Sequence, residues 1–551
     1  MSGKDTDLYR TADDSQIGRP LDRVVAELQR FTEDQMKQIK RLTRIGTALS
    51  AERNIERLFE MIIAEARKFT DADGGTLYIM SDDCRELQFA VVQTETLRIR
   101  MGGTGGRITW KPVPLYHPDG AANHGNVSAH VALTGTIVNI PDVYDSEGFD
   151  FKGTRAFDAE TGYRSKSMLV VPMKDHRNDI IGVLQLLNAH GDSRGDVVPF
   201  SYESQEMTES LASLAAVALS NNRLIHELET LMESFIRAIG TAVDEKSPYT
   251  GGHVRRVAEL TMDIARRINS AHEGPYAAVT FSADELQELQ IAAWLHDVGK
   301  ITTPEYVIDK ATKLEAIYDG IELLRLRFLL AAMQERMRKL RSQPSPAGGA
   351  DESDGNEADL AQEFQFLTET NLGAERMSDE RMERVRSIAR RTWELDGERV
   401  ALLTPNEVER LSVRQGTLTR AEREIVKNHA AVTQKILSQL PFPKKLSHVP
   451  EYAASHHETL TGTGYPRGLD ASRLPLQARI LALADVFEAL TAKDRPYKKA
   501  KPLSEAMQIM RLMANDRHID PDLFELFQRD KVYLDYARRE LAPQQIDVTG
   551  A

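Results

Sequence analysis

The chain has 551 residues, of which 41% are hydrophobic and 28% are charged, and its formal net charge at pH 7 is -13. This length is typical of roughly two to four domains rather than a single core. The negative charge argues against non-specific binding to nucleic acid or to an anionic membrane surface. Because the N-terminus is polar and Cys84 is the one cysteine, we expect no signal peptide, no intrachain disulfide and a cytoplasmic location.

The first half of the chain predicts a mixed α+β domain. Apolar residues recur at helical spacing from about Leu21 to Phe69. Three later segments are rich in β-branched and aromatic residues and are typical of strands: "GGTLYIM" (74–80), "SMLVVPM" (167–173) and "IIGVLQLLN" (180–188). We expect this domain to end near Ser201.

Residues 203–245 predict one long helix, because the segment lacks glycine until Gly240 and contains no proline. A helix of this length between two domains suits a parallel homodimer and a mechanical connection between the domains. A helix that packs on its own domain is the alternative, and the sequence leaves both open.

The rest of the chain is predicted to be helical, with one long insertion at about 311–415. Within it, residues 341–359 are rich in Pro, Gly, Ser and acidic residues, a composition typical of disorder. Charged helical segments flank them on both sides. The sequence therefore predicts a helical hairpin with a disordered tip and indicates no chemistry for it.

Two of the predicted helices place histidine or aspartate among apolar residues. Ser282 and Glu285 form a capping-box pattern at the start of a helix that reaches His296 and Asp297, and Gly299 offers a stop. A carboxylate at the end of an apolar helix is costly unless it is paired or bound to metal. The pair His296–Asp297 alone would usually be structural.

Three further positions make a metal site more plausible. His429 lies on the apolar face of a helix that begins with the Thr419–Glu422 capping box, and Asp485 lies in the apolar helix "ARILALADVFEALTA". The adjacent His456 and His457 point about 100° apart on a helix, so they suit two neighbouring ions better than one. His253 begins a further amphipathic helix, and this nitrogen and oxygen set suits Fe, Mn, Ni, Co or Zn.

The motifs "HDVGKI", "HHETLTGTGYPRGL" and "ADVFEALTAKDRPYKKA" closely resemble those of the HD-GYP family of metal-dependent phosphodiesterases. The resemblance covers about 230–310 and 416–530. It implies an all-α domain that hydrolyses cyclic di-GMP to pGpG or GMP with two or three divalent ions, Fe or Mn first. The metal ligands that it implies are His253, His296, Asp297, His429, His456, His457 and Asp485.

The resemblance also implies roles around the metals. Asp297 could bridge two ions, and Lys300 could hold a phosphate oxygen or be a solvated helix-end lysine. Arg495 and Lys498 would bind substrate phosphates, and the glycines of "GTGYP", among them Gly464, would bring the loop backbone close to substrate. Tyr465 would face substrate or a GGDEF-domain partner, or be structural.

Two positions depart from the family pattern. Thr461 stands where the family has Asp in "HHExxDGxGYP", which puts loop geometry or activity in doubt. Asp244 occupies the place of a third-metal glutamate. A receptor or scaffold that binds cyclic di-GMP is therefore one alternative, and an enzyme for another cyclic dinucleotide is a second.

Residues 40–205 resemble a GAF domain, with "NIPDVYDSEGFDFKGTRAFDAETGYRSKSMLVVPM" as the most telling segment. The resemblance implies an antiparallel sheet flanked by helices, with either a small ligand such as a cyclic nucleotide or a dimerisation role alone. Its ligand candidates are Phe157, Asp158, Thr161 and Tyr163. We expect a helical extension (1–39), the GAF domain (40–205), a connecting helix (206–240) and the phosphodiesterase domain (241–551).

Overall fold

The computed structural model describes residues 14–191, 196–246, 251–342, 355–373, 376–395, 397–492 and 500–548. It divides into two compact units after Thr230. The first unit contains helices and strands in the order α1 (Asp14–Ala51), α2 (Ile55–Thr70), β1 (Ala72–Met80), β2 (Glu86–Thr94), β3 (Ile99–Gly102), β4 (Val113–Pro114), α3 (Val127–Thr134), β5 (Val138–Ile140), α4 (Lys152–Thr161), β6 (Met168–Lys174), β7 (Ile180–His190) and β8 (Val197–Val198). The predicted strands at 74–80, 167–173 and 180–188 are thus confirmed.

The sheet of the first unit is antiparallel throughout, in the order β3-β2-β1-β7-β6-β5, with β4 on β2 and β8 on β7. Side chains alternate between its two faces, as the strand period requires. Leu77 packs with α2 residues such as Ile62, whereas the next residue, Tyr78, packs on the other face with Val131 of α3. This confirms the predicted α+β domain with an antiparallel sheet.

The predicted helix from Leu21 to Phe69 is two helices, because the chain turns between α1 and α2. Asn54 ends the turn, and its side chain accepts a hydrogen bond from Arg57 N in the first turn of α2. The long helix predicted at 203–245 is confirmed as α5 (Tyr202–Asp244). It contains residues on both sides of the division after Thr230.

The second unit is rich in helices and contains α6 (His253–Asn269), α7 (Ala283–Leu295), α8 (Glu305–Ile308), α9 (Ile321–Ser342), α10 (Gly355–Asn371), α11 (Asp379–Ala389), β9 (Thr392–Leu395), β10 (Glu398–Ala401), α12 (Pro405–Leu411), α13 (Arg420–Leu437), α14 (Val449–Ala454), α15 (Leu476–Thr491), α16 (Leu503–Asn515), α17 (Pro521–Arg529) and α18 (Val532–Glu540). Its main core lies between α6, α7 and α15 to α18. None of the described helices combines the length and apolar content that a bilayer crossing needs.

The insertion is more than a hairpin of two helices. Beyond α9 and α10 it includes α11, α12 and the β9–β10 hairpin, and these elements share a core that contains Phe328, Leu367 and Trp393. The helical period of the insertion did not predict strands β9 and β10. The hairpin turns at Gly397, which has a φ of 83°, and a glycine between two short segments is a typical hairpin-turn residue. Of the predicted disordered segment 341–359, both ends are helical, and residues 343–354 lie outside the described residues.

Candidate metal centre

Five separate segments of the second unit bring their imidazoles and carboxylates to one place. The capping boxes predicted at Ser282 and Thr419 are present, and they start the helices that lead to this place. The residues that meet there are His253 at the start of α6, His296 and Asp297 just beyond α7, His429 in α13, His456 and His457 just beyond α14, and Asp485 in α15. The predicted ligands therefore converge.

Asp297 lies at the centre of this cluster, and its two oxygens face different imidazoles. Oδ2 is 3.4 Å from His253 Nε2 and 3.2 Å from His296 Nε2. Oδ1 is 3.4 Å from His429 Nε2 and 3.9 Å from His456 Nε2. A carboxylate with ligand atoms on both sides has the arrangement that a bridge between two cations needs.

The ligand atoms form three overlapping groups, within each of which they lie no more than 4.8 Å apart. The groups are His253, His296 and Asp485; His296, Asp297 and His456; and His429, His456 and His457. His456 belongs to two groups, whereas His457 belongs to one. The prediction that the adjacent histidines serve different ions stays a prediction.

Hydrogen bonds fix which nitrogen of each imidazole faces the cluster. Nδ1 of His296, His429 and His456 lies 2.7, 2.5 and 2.6 Å from the carbonyl oxygen three residues earlier in the chain. A carbonyl can only accept, so Nδ1 carries the proton and Nε2 keeps its lone pair. The local helix geometry therefore leaves Nε2 of these three histidines unprotonated and able to bind a metal ion.

The chemistry of the buried atoms fits a metal. Nε2 of His296, His429 and His456 and Oδ1 of Asp297 are buried without a hydrogen-bond partner. An unsatisfied buried polar atom is costly, and four such atoms within one cluster are best explained by cations bound among them. Nitrogen and oxygen donors without thiolate suit first-row divalent ions.

The electrostatics favour neutral His456 and His457 and ionised carboxylates, whereas burial at His253 is outweighed by Glu488, Asp297 and Asp485, which raise its pKa well above the usual value. Burial lowers the pKa of His456 well below its usual value and that of His457 to about 4. Burial raises the pKa of both carboxyl groups, but Lys300 and neighbouring imidazoles outweigh it for Asp297, and the imidazoles of His253, His296 and His457 outweigh it for Asp485. Both pKa values therefore fall below the ordinary range. Neutral imidazole and ionised carboxylate are the forms that bind metal.

Glu488 is a functional residue that the sequence reading missed. It is buried, and its Oε2 lies 2.5 Å from His253 Nδ1, while Oε1 accepts a hydrogen bond of 2.7 Å from Arg256 Nε. Glu488 lies three residues after Asp485 on α15, so the i, i+3 spacing of two acids on an apolar helix was the available signal. A carboxylate behind a ligand imidazole orients the ring and raises its basicity.

Lys300 is beside the cluster and not in open solvent. Its Nζ is 2.5 Å from Asp297 Oδ2, and 28% of its side chain is exposed. The short helical turn Val298–Thr302 carries it. This position places a cationic group beside Asp297, and it does not fit a fully solvated lysine.

Two glycines allow the close packing on which the site depends. A Cβ on Gly299 would lie 2.0 Å from the carbonyl oxygen of His429, and one on Gly464 would lie 2.5 Å from that of His457. The predicted helix stop at Gly299 is wrong, because α7 ends at Leu295 and Gly299 lies within the turn Val298–Thr302. Instead, Gly299 lets α13 approach the His296–Asp297 segment. The sequence reading gave Gly464 an approach to substrate; in the structure its close neighbour is the backbone of the histidine segment.

Hydrogen bonds to Glu458 fix the loop that follows the histidine pair. Glu458 is buried and accepts hydrogen bonds from the backbone N–H of Arg467 and Leu469, at 2.7 and 2.8 Å. The ring of Tyr465 packs on His457, with centroids 4.8 Å apart. Burial raises the pKa of the Tyr465 phenol, so the ring presents a neutral hydroxyl.

Thr461 belongs to a small hydroxyl network on this loop. Its Oγ1 is 3.1 Å from Thr459 Oγ1 and 2.9 Å from Thr463 Oγ1, and those two hydroxyls are 3.2 Å apart. Thr459 also accepts a hydrogen bond from Thr463 N. The three hydroxyls can satisfy one another without a carboxylate, which shows how the loop accommodates Thr461.

Asp244 is near the cluster but outside its three ligand groups. It is the last residue of α5, and both its oxygens accept from Val254 N, at 3.3 and 3.1 Å. Burial raises its pKa to about 6. A role as a third-metal ligand stays a prediction, as do the phosphate-binding roles of Arg495 and Lys498, which lie outside the described residues.

The ligand candidates of the first unit lie around α4. Asp158 is buried and accepts hydrogen bonds from Tyr144 Oη, Ser165 N and Ser165 Oγ. The hydroxyls of the other two polar candidates donate within the unit, Thr161 to Phe157 O at 2.7 Å and Tyr163 to Asp73 Oδ2 at 2.6 Å. The ring of Phe157 contacts Trp110 edge-on, with centroids 5.9 Å apart.

Comparison with known families agrees with the two units. Residues 54–219 match the GAF domain, and residues 250–360 and 399–523 each match an HD domain family. The chain combines a GAF domain with an HD domain. The imidazoles and carboxylates of the cluster described above all lie within the two ranges that match HD domain families.

Two curated relatives match parts of the chain. The chain is 38% identical over 301 residues to the 3'3'-cGAMP-specific phosphodiesterase 3 of Vibrio cholerae, an alignment that covers 55% of this chain and 39% of that protein. It is 38% identical over 133 residues to the cyclic di-GMP phosphodiesterase of Thermotoga maritima, which covers 24% and 35% respectively. The chain thus spans less than two fifths of either relative.

Proposed function

We propose that this protein is a metal-dependent phosphodiesterase that hydrolyses a cyclic dinucleotide, with cyclic di-GMP as substrate and pGpG or GMP as product. The observation that supports it most strongly is Asp297, whose two oxygens face two different sets of imidazole nitrogens. The names of the two relatives agree with this reaction class. We expect two or three divalent ions, Fe or Mn before Ni, Co or Zn.

The proposed ligands divide around Asp297. His253, His296 and Asp485 would hold a cation on the Oδ2 side, and His429 and His457 would hold one on the Oδ1 side. His456 shares one group with His296 and Asp297 and another with His429 and His457, so it would serve the ion that His457 does not hold. When bound, such ions lower the pKa of water and neutralise the charge on phosphate oxygens. Asp244 would be a further ligand for a third ion.

The remaining roles fall to side chains of this chain. Lys300 would donate a hydrogen bond to a non-bridging phosphate oxygen or to the leaving oxygen, because its Nζ is already beside Asp297. Arg495 and Lys498 would bind the other phosphate, and Gly464 and Tyr465 would border the substrate. Glu488 would keep His253 oriented.

A second substrate deserves the same assay, because the alignment that spans 55% of the chain is to a 3'3'-cGAMP-specific enzyme. The decisive experiment loads anaerobically purified protein with Mn(II) or Fe(II) and compares turnover of cyclic di-GMP with that of 3'3'-cGAMP. Hydrolysis of either supports the proposal, and the ratio assigns the substrate. Tight binding of both without turnover would favour the receptor or scaffold alternative, which Thr461 motivates.

Regulation by the GAF domain through α5 is part of the proposal. The end of α5 and the residues after it contact both sides of the metal cluster: Asp244 accepts from Val254 N in the helix of His253, and Lys246 Nζ donates to the carbonyls of Lys300, Ile301 and Thr303 at 2.9, 2.5 and 2.7 Å. A shift of α5 would therefore move groups beside the cluster. The proposed input is a cyclic nucleotide or a rearrangement of a homodimer.

This coupling has its own test. An insertion of residues in the middle of α5 changes the rotation between its ends by about 100° per residue. We expect the response of turnover to the GAF ligand to vary with the inserted length, and an unchanged response would contradict the coupling. In this scheme the GAF domain (40–205) senses the signal, the connecting helix (206–240) transmits it and the phosphodiesterase domain (241–551) catalyses hydrolysis. The enzyme would be cytoplasmic and would have a GGDEF-domain protein as a further partner.

A further inference from the structure

Helix α9 of the insertion has two apolar faces, of which only one is covered by the residues that the structure describes. Leu324, Phe328 and Ala331 are buried in the insertion's core. The other face is exposed, with 61% of Met333 and 66% of Leu340 accessible. We call this exposed face the α9 stripe, and its residues are Leu323, Leu326, Leu330, Met333, Met337 and Leu340.

The spacing of the α9 stripe is that of a seam between helices. Its residues follow one another at intervals of three, four, three, four and three, so they form a narrow row along the helix. A helix that lies in a bilayer surface presents a wide apolar face instead. On the side of the stripe nearest the insertion body, Arg327 binds Glu407 and Gln334 binds the backbone of Glu394, which leaves the side of Glu322, Leu329 and Arg336 for a partner.

The stripe is complementary to itself when two copies of α9 run antiparallel. Leu323 then lies opposite the partner subunit's Leu340, Leu326 opposite the partner subunit's Met337, and Leu330 opposite the partner subunit's Met333. Each of these pairs occurs twice, as a twofold interface requires. In heptad terms, each of these pairs joins an a position of one helix to a d position of the other, which is the pairing typical of antiparallel helices.

The flanking charges follow the same symmetry. In the antiparallel arrangement, Glu322 faces the partner subunit's Arg336 at both ends, and Leu329 meets its own copy near the twofold axis. Glu322 bonds Arg325 of its own helix, but both side chains are more than half exposed, so exchanging partners costs little. A parallel pair would instead place Arg336 beside the partner subunit's Arg341, where like charges repel.

We propose that the α9 stripe is covered by a second copy of this chain, with the two α9 helices antiparallel about a twofold axis. The interface is separate from any pairing of the α5 helices and does not depend on the proposed activity.

Disulfide cross-linking of the full chain tests this orientation. In a Cys84→Ser background, Leu323→Cys protein mixed with Leu340→Cys protein should form a covalent dimer on mild oxidation, whereas each alone should form at least tenfold less. Gln365→Cys, exposed on α10, replaces Leu340→Cys as the matched control and should not react. Cross-linking of Leu323→Cys alone would show a parallel pair, and no cross-linking in the mixture would show no such interface; either result overturns the proposal.

Charge exchange gives a second readout that a folding defect does not imitate. Glu322→Arg and Arg336→Glu, each made on both cysteine proteins, should lower the cross-linked fraction roughly threefold or more, and the double exchange should restore it. Failure of the double exchange to rescue contradicts the pairing. Binding of the wild-type chain to anionic vesicles that Leu326→Glu abolishes would assign the stripe to a membrane and also overturn the proposal.

Discussion

Glu488 Oε2 lies 2.5 Å from Nδ1 of His253, on the side of the imidazole away from Asp297. Glu488→Gln keeps the shape but removes the charge behind the ring. We expect metal affinity to fall about 10- to 100-fold, because an outer carboxylate sets the tautomer and basicity of a ligand histidine. Titration of the metal-free protein with Mn(II) measures it. Glu259→Gln, an exposed acid on α6, is the control, and equal affinities for both variants would refute the role of Glu488.

Lys300→Met separates catalysis from metal binding. The change removes the cation beside Asp297 and no ligand atom, so we expect metal content to be kept and kcat to fall about 100-fold. Metal analysis and initial rates on one preparation show both. Lys435→Met, exposed on α13, should leave both unchanged. A Lys300→Met enzyme with normal kcat would show that Lys300 has no role in catalysis.

Gly299→Ala should disrupt the cluster from outside the ligand set. The added methyl would lie 2.0 Å from His429 O, so α13 must move away and take His429 with it. We expect weaker metal binding together with a lower melting temperature. Gly251→Ala, whose Cβ has no atom within 4 Å, serves as the control. Metal affinity unchanged in Gly299→Ala would show that this packing does not position His429.

The pH dependence of stability is expected to contain a contribution from His457. Its pKa is about 4 in the folded protein and near 6.5 when unfolded, so the unfolded chain binds more protons between these values. Its contribution to the free energy of unfolding therefore rises from pH 4 to 6.5, by about 3 kcal/mol at most. Urea unfolding with a chelator present, compared between wild type and His457→Gln at pH 5 and 7, measures the difference. A pH-independent difference would contradict the depressed pKa.

Substitutions of Thr461 test whether the threonine at this position, where the family pattern has aspartate, affects activity. Thr461→Val removes the hydroxyl that joins Thr459 and Thr463, and we expect a less stable loop and lower turnover. Thr461→Asp restores the family residue and should raise turnover if the threonine limits activity. Turnover rates of both variants and the wild type, measured at saturating metal and substrate, test these expectations. If both variants match the wild type, position 461 does not affect catalysis.

The sequence could predict the parts of the fold and site that rest on local patterns. The capping boxes at Ser282 and Thr419 and three of the strands of the first unit followed from local patterns, and the family resemblance named the residues that converge in the cluster. What it could not predict depends on contacts between distant segments. The close approach of Gly299 to His429 and the pairing of Glu488 with His253 appear only when the helices are packed.

The insertion shows a different limit. Its apolar residues predicted helices, but they did not reveal which face of α9 is buried or that a β-hairpin joins its core. Leu323 and Leu324 are neighbours of equal hydrophobicity, yet one is exposed and the other is buried. Such a distinction depends on tertiary packing, not on composition or period.

The most direct test of the central claim is metal stoichiometry of the wild type and Asp297→Asn after anaerobic loading with Mn(II), with cyclic di-GMP turnover measured on the same samples. We expect at least two ions per wild-type chain together with hydrolysis, and fewer bound ions and no turnover in Asp297→Asn. Wild-type protein that binds no ion, or Asp297→Asn that binds and hydrolyses as the wild type does, would contradict a bridging carboxylate between two metal sites.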